Sequence, residues 1–425
     1  MNKINSHKPR QIASMIAFAS LIFVASSAVV AMQGRAVETD SAAATDSTDQ
    51  GRAPVVGERF ARDLLAQLRG SDNLAISPAS IESCALLALG GARGQTAKQM
   101  AAVLHLPNNS RQEVGTLLDR IQRLAHGGDQ KTNAAALVIA NSAWIDKSLP
   151  VNESFEKLLK ANDRATLLQV DFVRQTEDAR KDINAWVDTA TRGKIAQLLA
   201  PGVLDDSSRL VLVNAIYFKG GWLLPFKKEN TKQQAFQVSD ARKVDVPLMH
   251  MTDQLRYAET DTYQVIELAY VNSDLAMVVW LPRKLDNLAG VERQIAEQGV
   301  ANSLERLGTT EVELFLPRFR VEATLGLRDT LASLGMKDAF SDAADFSGIS
   351  SQPLNISAVV HRALVEVDEI GTEAAAATGV IARTTAQLGR IEKRVFRADH
   401  PFLFAIRQRM TGDVLFLGRV ANPAP

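Results

Sequence analysis

Residues 369–382 read Glu-Ile-Gly-Thr-Glu-Ala-Ala-Ala-Ala-Thr-Gly-Val-Ile-Ala, and a polar stretch carrying Arg383, Arg390, Lys393 and Arg394 follows. Four consecutive alanines favour a helix by propensity, yet Gly371 and Gly379 bracket them and no apolar stripe develops at a 3.6-residue period. With a period of two the segment is orderly. Thr372, Ala374, Ala376, Thr378, Val380 and Ala382 fall on one face, while both charges, Glu373 and Arg383, fall on the other. A strand of this kind buries the even face and solvates the odd one. Small side chains also let a segment enter a packed sheet without clash. The segment reads as a loop or as a strand inside a sheet; an alanine-rich surface loop with no role remains the plain alternative.

On the N-terminal side of this segment, and beyond it as far as Pro423, helix-like and strand-like periods alternate from Val55 with no Pro/Gly/Ser linker, which predicts one large α+β domain. Helical spacing covers Val55–Leu68, Pro78–Leu89, Thr96–Leu104 and Thr176–Leu199, with Ser77 as N-cap and Pro78 at the first helical position. Strand-like runs cover Ala134–Trp144, Arg209–Phe218, Leu275–Leu281, Glu311–Leu316, Ala358–Val367, Phe402–Ile406 and Val414–Val420. No repeat of solenoid or propeller period is present.

The chain has 425 residues, 46 % of them apolar, and 48 Lys+Arg balance 48 Asp+Glu, so it lacks the basic footprint that nucleic-acid binding requires. A single cysteine, Cys84, excludes an internal disulfide and a multi-cysteine zinc site, and its apolar helical setting predicts a buried, unreactive thiol. Lys3, Lys8 and Arg10 precede Ile12–Met32, which is free of charge. Residues 1–32 therefore read as an export signal or an uncleaved anchor, and 33–54, lacking aromatics, Leu and Ile, as a flexible tether to a domain at 55–425. Lys3, Lys8 and Arg10 are the only charges in that leader, so its loss would leave the mature chain three units negative. No GxSxG, HExxH, GxxxxGK[ST] or GxGxxG motif occurs. His105, His126, His250, His361 and His400 lack carboxylate or cysteine neighbours at ligand spacing and read as packing or surface residues.

The segment from Glu369 to Thr378 resembles the hinge of the reactive-centre loop of serpins. Further matches run in order along the chain: Asn73–Ile81, Gly91–Thr96, Ala140–Trp144, Ile183–Val187, Leu212–Gly220, Leu316–Phe319, Phe396–Phe404 and Phe416–Pro423. The resemblance implies an α+β serpin fold, about nine helices around three β-sheets with a large central sheet and an exposed reactive loop. It implies a protease inhibitor rather than an enzyme, without cofactor or metal. A serine or cysteine protease would attack the loop and form an acyl-enzyme, and the cut loop would insert into the central sheet and trap it. The runner-up is a non-inhibitory serpin acting as a binding or chaperone-like protein; a secreted hydrolase on a dispersed triad lacks any supporting motif.

Residue by residue, the resemblance implies a hinge of Glu369, Gly371, Thr372, Glu373, Ala374, Ala375, Ala376, Ala377 and Thr378. Ser77, Ser80, Asn214 and His361 match the polar cluster beneath the opening of the sheet (the shutter); Trp222 and Arg318, with Glu369, match the point where the loop first enters (the breach). Counting from Glu369 puts the scissile bond at Thr385–Ala386; the long stretch before Pro401 leaves Arg383 and Arg390 as alternatives. The expected partner is a target protease, with no nucleic acid, and with membrane only if the leader stays uncleaved. A monomer is expected, secreted to an extracellular or periplasmic setting, and an export leader without disulfides fits a bacterial host.

Overall fold

The computed structural model describes residues 57–106, 114–115, 118, 135–160, 166–271, 273–370 and 394–424. The leader, the tether, His126, the hinge from Gly371 onward and every candidate scissile position lie outside the described residues.

Helix α1 (Glu58–Gln67) leads through β1 (Leu74–Ile76) into α2 (Pro78–Gly91) and α3 (Gly94–Val103). The Ser77 side chain accepts from the Ser80 N–H and caps α2, with Pro78 filling the first helical position. Every residue of α2 is buried, which accounts for its lack of an amphipathic stripe. Strand β2 (Ala135–Asp146), α4 (Glu153–Lys160), β3 (Thr166–Val170), α5 (Phe172–Ala190) and β4 (Leu210–Gly220) follow. The helix expected at Thr176–Leu199 both begins and ends earlier, at Phe172–Ala190. Asp171 caps its start, its side chain accepting from Arg174 N at 2.9 Å, Asp146 Oδ2 accepts from Phe172 N at 2.8 Å, and a kink at Gln175 separates its first turn from the rest. Arg192 and Gly193 then take positive φ and end it, and Asn184 Oδ1 holds Leu198 N and Leu199 N as the chain turns back.

The remaining elements are β5 (Lys232–Ser239), β6 (Arg242–Glu259), β7 (Tyr263–Ala269), β8 (Leu275–Pro282), α6 (Leu288–Gln298), α7 (Val300–Ser303), β9 (Gly308–Pro317), β10 (Phe319–Gly326), α8 (Arg328–Leu334), β11 (Ile356–Val367), β12 (Arg394–Arg397), β13 (Phe402–Gln408) and β14 (Val414–Val420). Among the described residues there are eight α-helices and two hydrogen-bonded sheets. The larger, ordered β1-β14-β13-β8-β7-β6-β9-β12 with β5 on β6, joins two of the three expected sheets. The 18-residue β6 makes the join, pairing β5 with its first half and β9 and β7 further on. In its C-terminal hairpin a Cβ on Gly418 would lie 2.2 Å from Leu74 O and 2.6 Å from the Phe404 ring, so only glycine fits where β1 and β13 close on β14.

The central sheet has the order β10-β11-β4-β2-β3. Strand β4 runs Leu-Val-Leu-Val-Asn-Ala-Ile-Tyr-Phe and is buried on both faces, as its near-continuous apolar run requires. Val211, Val213 and Ala215 pack towards α5; Leu212, Ile216 and Phe218 belong to the core that contains α2. Antiparallel pairs flank β4 and β11 on their outer sides, but β4 and β11 pair with each other in parallel, from Ile356↔Leu210 to Val365↔Phe218.

Candidate functional site

Asn214 is the one polar side chain pointing from the middle of β4 towards α2, and it is fully buried, so its amide has to be satisfied by protein. Its Nδ2 donates to Ser80 O at 3.1 Å, with Ser80 Oγ and Asn141 Oδ1 also in contact, and its Oδ1 meets Nδ1 of His361 on the adjoining strand β11. His361 Nε2 in turn accepts the Ser77 N–H at 3.2 Å. Ser77, Ser80, Asn214 and His361 thus form one connected cluster across the β4–β11 seam and the start of α2. Asn141 and Ser83, absent from the expected set, complete it: Asn141 bonds the Ser83 hydroxyl, which donates to Ser80 O at 3.0 Å. An asparagine inside the apolar run of β2 was the available signal for Asn141.

These bonds fix the imidazole tautomer. Nε2 accepts a backbone N–H and must be bare, so the ring proton sits on Nδ1 and is donated to Asn214. Protonating Nε2 would set donor against donor in a dry site. Burial pushes the His361 pKa down to about 3. A folded-state pKa below the unfolded value of about 6.5 gives stability that is complete above pH 6.5 and is lost as the pH falls towards 3. The full loss is on the order of 5 kcal/mol, and about half of it falls between pH 6.5 and 4.5, before most carboxylates titrate. Urea unfolding across that interval is expected to show stability declining in the parent and a flatter profile in His361→Gln, which keeps a neutral donor and acceptor; equal slopes would remove His361 as the cause.

At the other end of β11 the chain continues as Asp368, Glu369 and Ile370, and each is anchored. Arg318, between β9 and β10, reaches both Glu369 carboxylate oxygens, at 2.6 and 2.8 Å, and Thr231 Oγ1 adds a third bond at 2.7 Å. Burial works to raise the Glu369 pKa, but the hydrogen bonds from Arg318 and Thr231 outweigh it and hold the carboxyl below its ordinary value. Trp222 Nε1 donates to Asp368 O at 2.8 Å, and the backbone N–H groups of Trp222 and Phe226 donate to Ile370 O and Glu369 O. The Trp222 ring stacks on Tyr270, centroids 4.7 Å apart. Lys219 Nζ holds Asp368 Oδ2 at 2.9 Å. The structure therefore brings Trp222, Arg318 and Glu369 into one contact set, and adds Thr231, Asp368 and Lys219.

Other expectations need adjustment. The histidines are not solitary in space: His105 lies 2.6 Å from Asp63, His250 3.2 Å from Glu313 and His400 3.0 Å from Asp399. Spacing arguments missed the first two because folding supplies the partner, and missed the third because Asp399 is the immediate neighbour. Cys84 is buried with its thiol 3.6 Å from Val213 O, and burial pushes its pKa up to about 12, so it forms no thiolate at neutral pH.

The serpin (serine protease inhibitor) family pattern matches residues 56–423. The chain is 39 % identical over 385 residues to leukocyte elastase inhibitor of Bos taurus, spanning 86 % of this chain and 98 % of that one. It is 40 % identical over 372 residues to Serpin B6 of Macaca fascicularis, spanning 86 % and 97 %. Its fold is similar to that of Arabidopsis AtSerpin1 in a structure titled the native stressed conformation, with a TM-score of 0.77, 28 % identity and coverage of 86 % and 95 %. This chain, with its parallel β4–β11 pair, its buried polar cluster and the anchored residues that follow β11, belongs to the serpin family.

Proposed function

We propose that the chain is a suicide-substrate inhibitor of serine endopeptidases, cut at Thr385–Ala386 and trapping the protease as an acyl-enzyme when residues 372–382 enter the central sheet between β4 and β11. The observation that carries this reading is the parallel β4–β11 pair. A segment leaving the end of β11 and folding straight back runs antiparallel to both strands, so it replaces one parallel ladder by two antiparallel ones. The even face of the segment offers no proline or charge to stop it. In this reading Ser77, Ser80, Asn214 and His361 are the polar joint that rearranges as the seam parts. Arg318, Thr231 and Trp222 hold the hinge base until it does.

The reading extends to a target with a small or permissive specificity pocket, because Thr385 precedes the proposed cut; the Bos taurus relative is itself named an elastase inhibitor. Incubation of the chain lacking residues 1–32 with elastase, subtilisin, trypsin and chymotrypsin is expected to give an SDS-stable complex with one of the first two. Sequencing of the released peptide should begin at Ala386. A peptide beginning at Thr384 or Ile391 would assign the cut to Arg383 or Arg390 instead. Turnover without complex would support the non-inhibitory alternative.

Export completes the proposal. It is supported by Lys3, Lys8 and Arg10 ahead of the uncharged Ile12–Met32 segment. Among the described residues no helix is long and apolar enough to cross a membrane. The relatives named above come from two mammals and a plant and lend no support to a bacterial host.

A further inference from the structure

A cavity of about 170 Å³ lies under the turn that follows β4, bounded by Trp222, Leu223, Leu224 and Phe226 above and by Met251, Leu255 and Leu268 from β6 and β7. Its polar wall is made by Arg256, Glu267 and Arg409, with Gln254 beside them. Glu267 is buried and receives three guanidinium groups: Arg256 Nη1, Arg407 Nη1 at 3.1 Å and Arg409 Nε at 3.5 Å. Among the lining residues, the two arginines, Arg256 and Arg409, share the single carboxylate of Glu267, so this wall carries more cationic than anionic groups. Arg256 and Arg409 are each 41 % exposed, so the charge is presented at the opening rather than sealed behind it. Such an arrangement suits a ligand with one anionic end and an apolar body.

Size narrows the class. A dry cavity of about 150 Å³ holds a benzene ring, so this one accommodates a single aryl group or a short branched acyl chain, and not a long fatty tail. We propose that this cavity is a binding site for a small aryl or branched-acyl carboxylate, its apolar body among Trp222, Leu255 and Leu268 and its carboxylate at Arg256 and Arg409. The site stands apart from the shutter cluster, and the same turn supplies the backbone groups that hold Glu369 and Ile370. It rests on the geometry of β6, β7 and the turn and not on the inhibitory reading.

Ligand-observed NMR titration of the full chain with 3-phenylpropionate tests it, with 3-phenylpropionamide as the uncharged probe. Saturable binding with a Kd of about 1 mM or below is expected for the acid. The amide and the Arg409→Ala variant should each weaken binding about tenfold or more, and Leu268→Trp, which fills the cavity, should abolish it. Arg409 is exposed enough for its variant to fold, and an unchanged melting temperature verifies this. Absence of saturable binding to the parent, equal affinity for acid and amide, or full binding by Leu268→Trp with native melting would each overturn the assignment.

Discussion

Nicking the chain within residues 383–390 is expected to raise its melting temperature by about 20 °C. The inserted strand would form a ladder with β4 and another with β11 while breaking the one they share, which runs from Ile356↔Leu210 to Val365↔Phe218. The net gain is one ladder, on the order of ten hydrogen bonds at ~1 kcal/mol each. Burial of Thr372, Ala374, Ala376, Thr378, Val380 and Ala382 adds about 5 kcal/mol. Unfolding entropies near 2.1 cal/mol/K per residue give a domain of this size roughly 0.8 kcal/mol/K, so ~15 kcal/mol moves the midpoint by about 20 °C. A gain that large is comparable to the whole stability of an ordinary domain. The uncut chain must then persist because a barrier separates it from the inserted form, not because it is the lower state. Scanning calorimetry of intact and nicked protein decides the matter: a nicked form that melts no later would remove the stored-energy mechanism.

What the sequence made legible, and what it hid, follows from how local each cause is. The capped start of α2 was readable because Ser77 and Pro78 act on their own turn. Strands β4, β13 and β14 were readable because a buried strand needs a near-continuous apolar run, and β11 because apolar triplets flank its His361-Arg362 pair. The start of α5 carries a local signal, the Asp171 cap, that a period-based reading beginning at Thr176 overlooks, whereas the hold of Asn184 on the chain after the helix is a contact made only after folding. The same contrast divides the candidate site. Ser77, Ser80, Asn214 and His361 were located through resemblance, yet their connection through one neutral imidazole needed coordinates. Asn141, Ser83 and Thr231 were given no site role because a polar residue looks ordinary until its partner in the fold is known. The merging of two expected sheets likewise depends on the length of the 18-residue β6, which pairs β5 along its first part and β9 and β7 further on, a choice of partners that no local run of residues announces.

Under the proposed mechanism Thr378→Arg is expected to convert the chain from an inhibitor into a substrate, whereas Ala377→Arg, one residue away, should leave it an inhibitor. The period of two places Thr378 on the face that insertion buries and Ala377 on the face that stays wet. An arginine carried into the sheet interior without a counter-charge costs several kcal/mol, and the insertion would stall when that residue reaches the seam. Inhibition is a race in which the acyl-enzyme is either trapped by insertion or hydrolysed. Raising the insertion barrier by ~4 kcal/mol slows it roughly a thousandfold, while the scissile bond, seven residues downstream in the Thr385 assignment, is attacked as before. SDS-stable complex should therefore drop from the main product to a few per cent in Thr378→Arg, with cleavage rate retained and with no gain in melting temperature on nicking. In Ala377→Arg both complex and thermal gain should persist. Equal behaviour of the two variants would mean that the segment does not enter the sheet with the alternation its sequence displays, and the trap would need another structural basis.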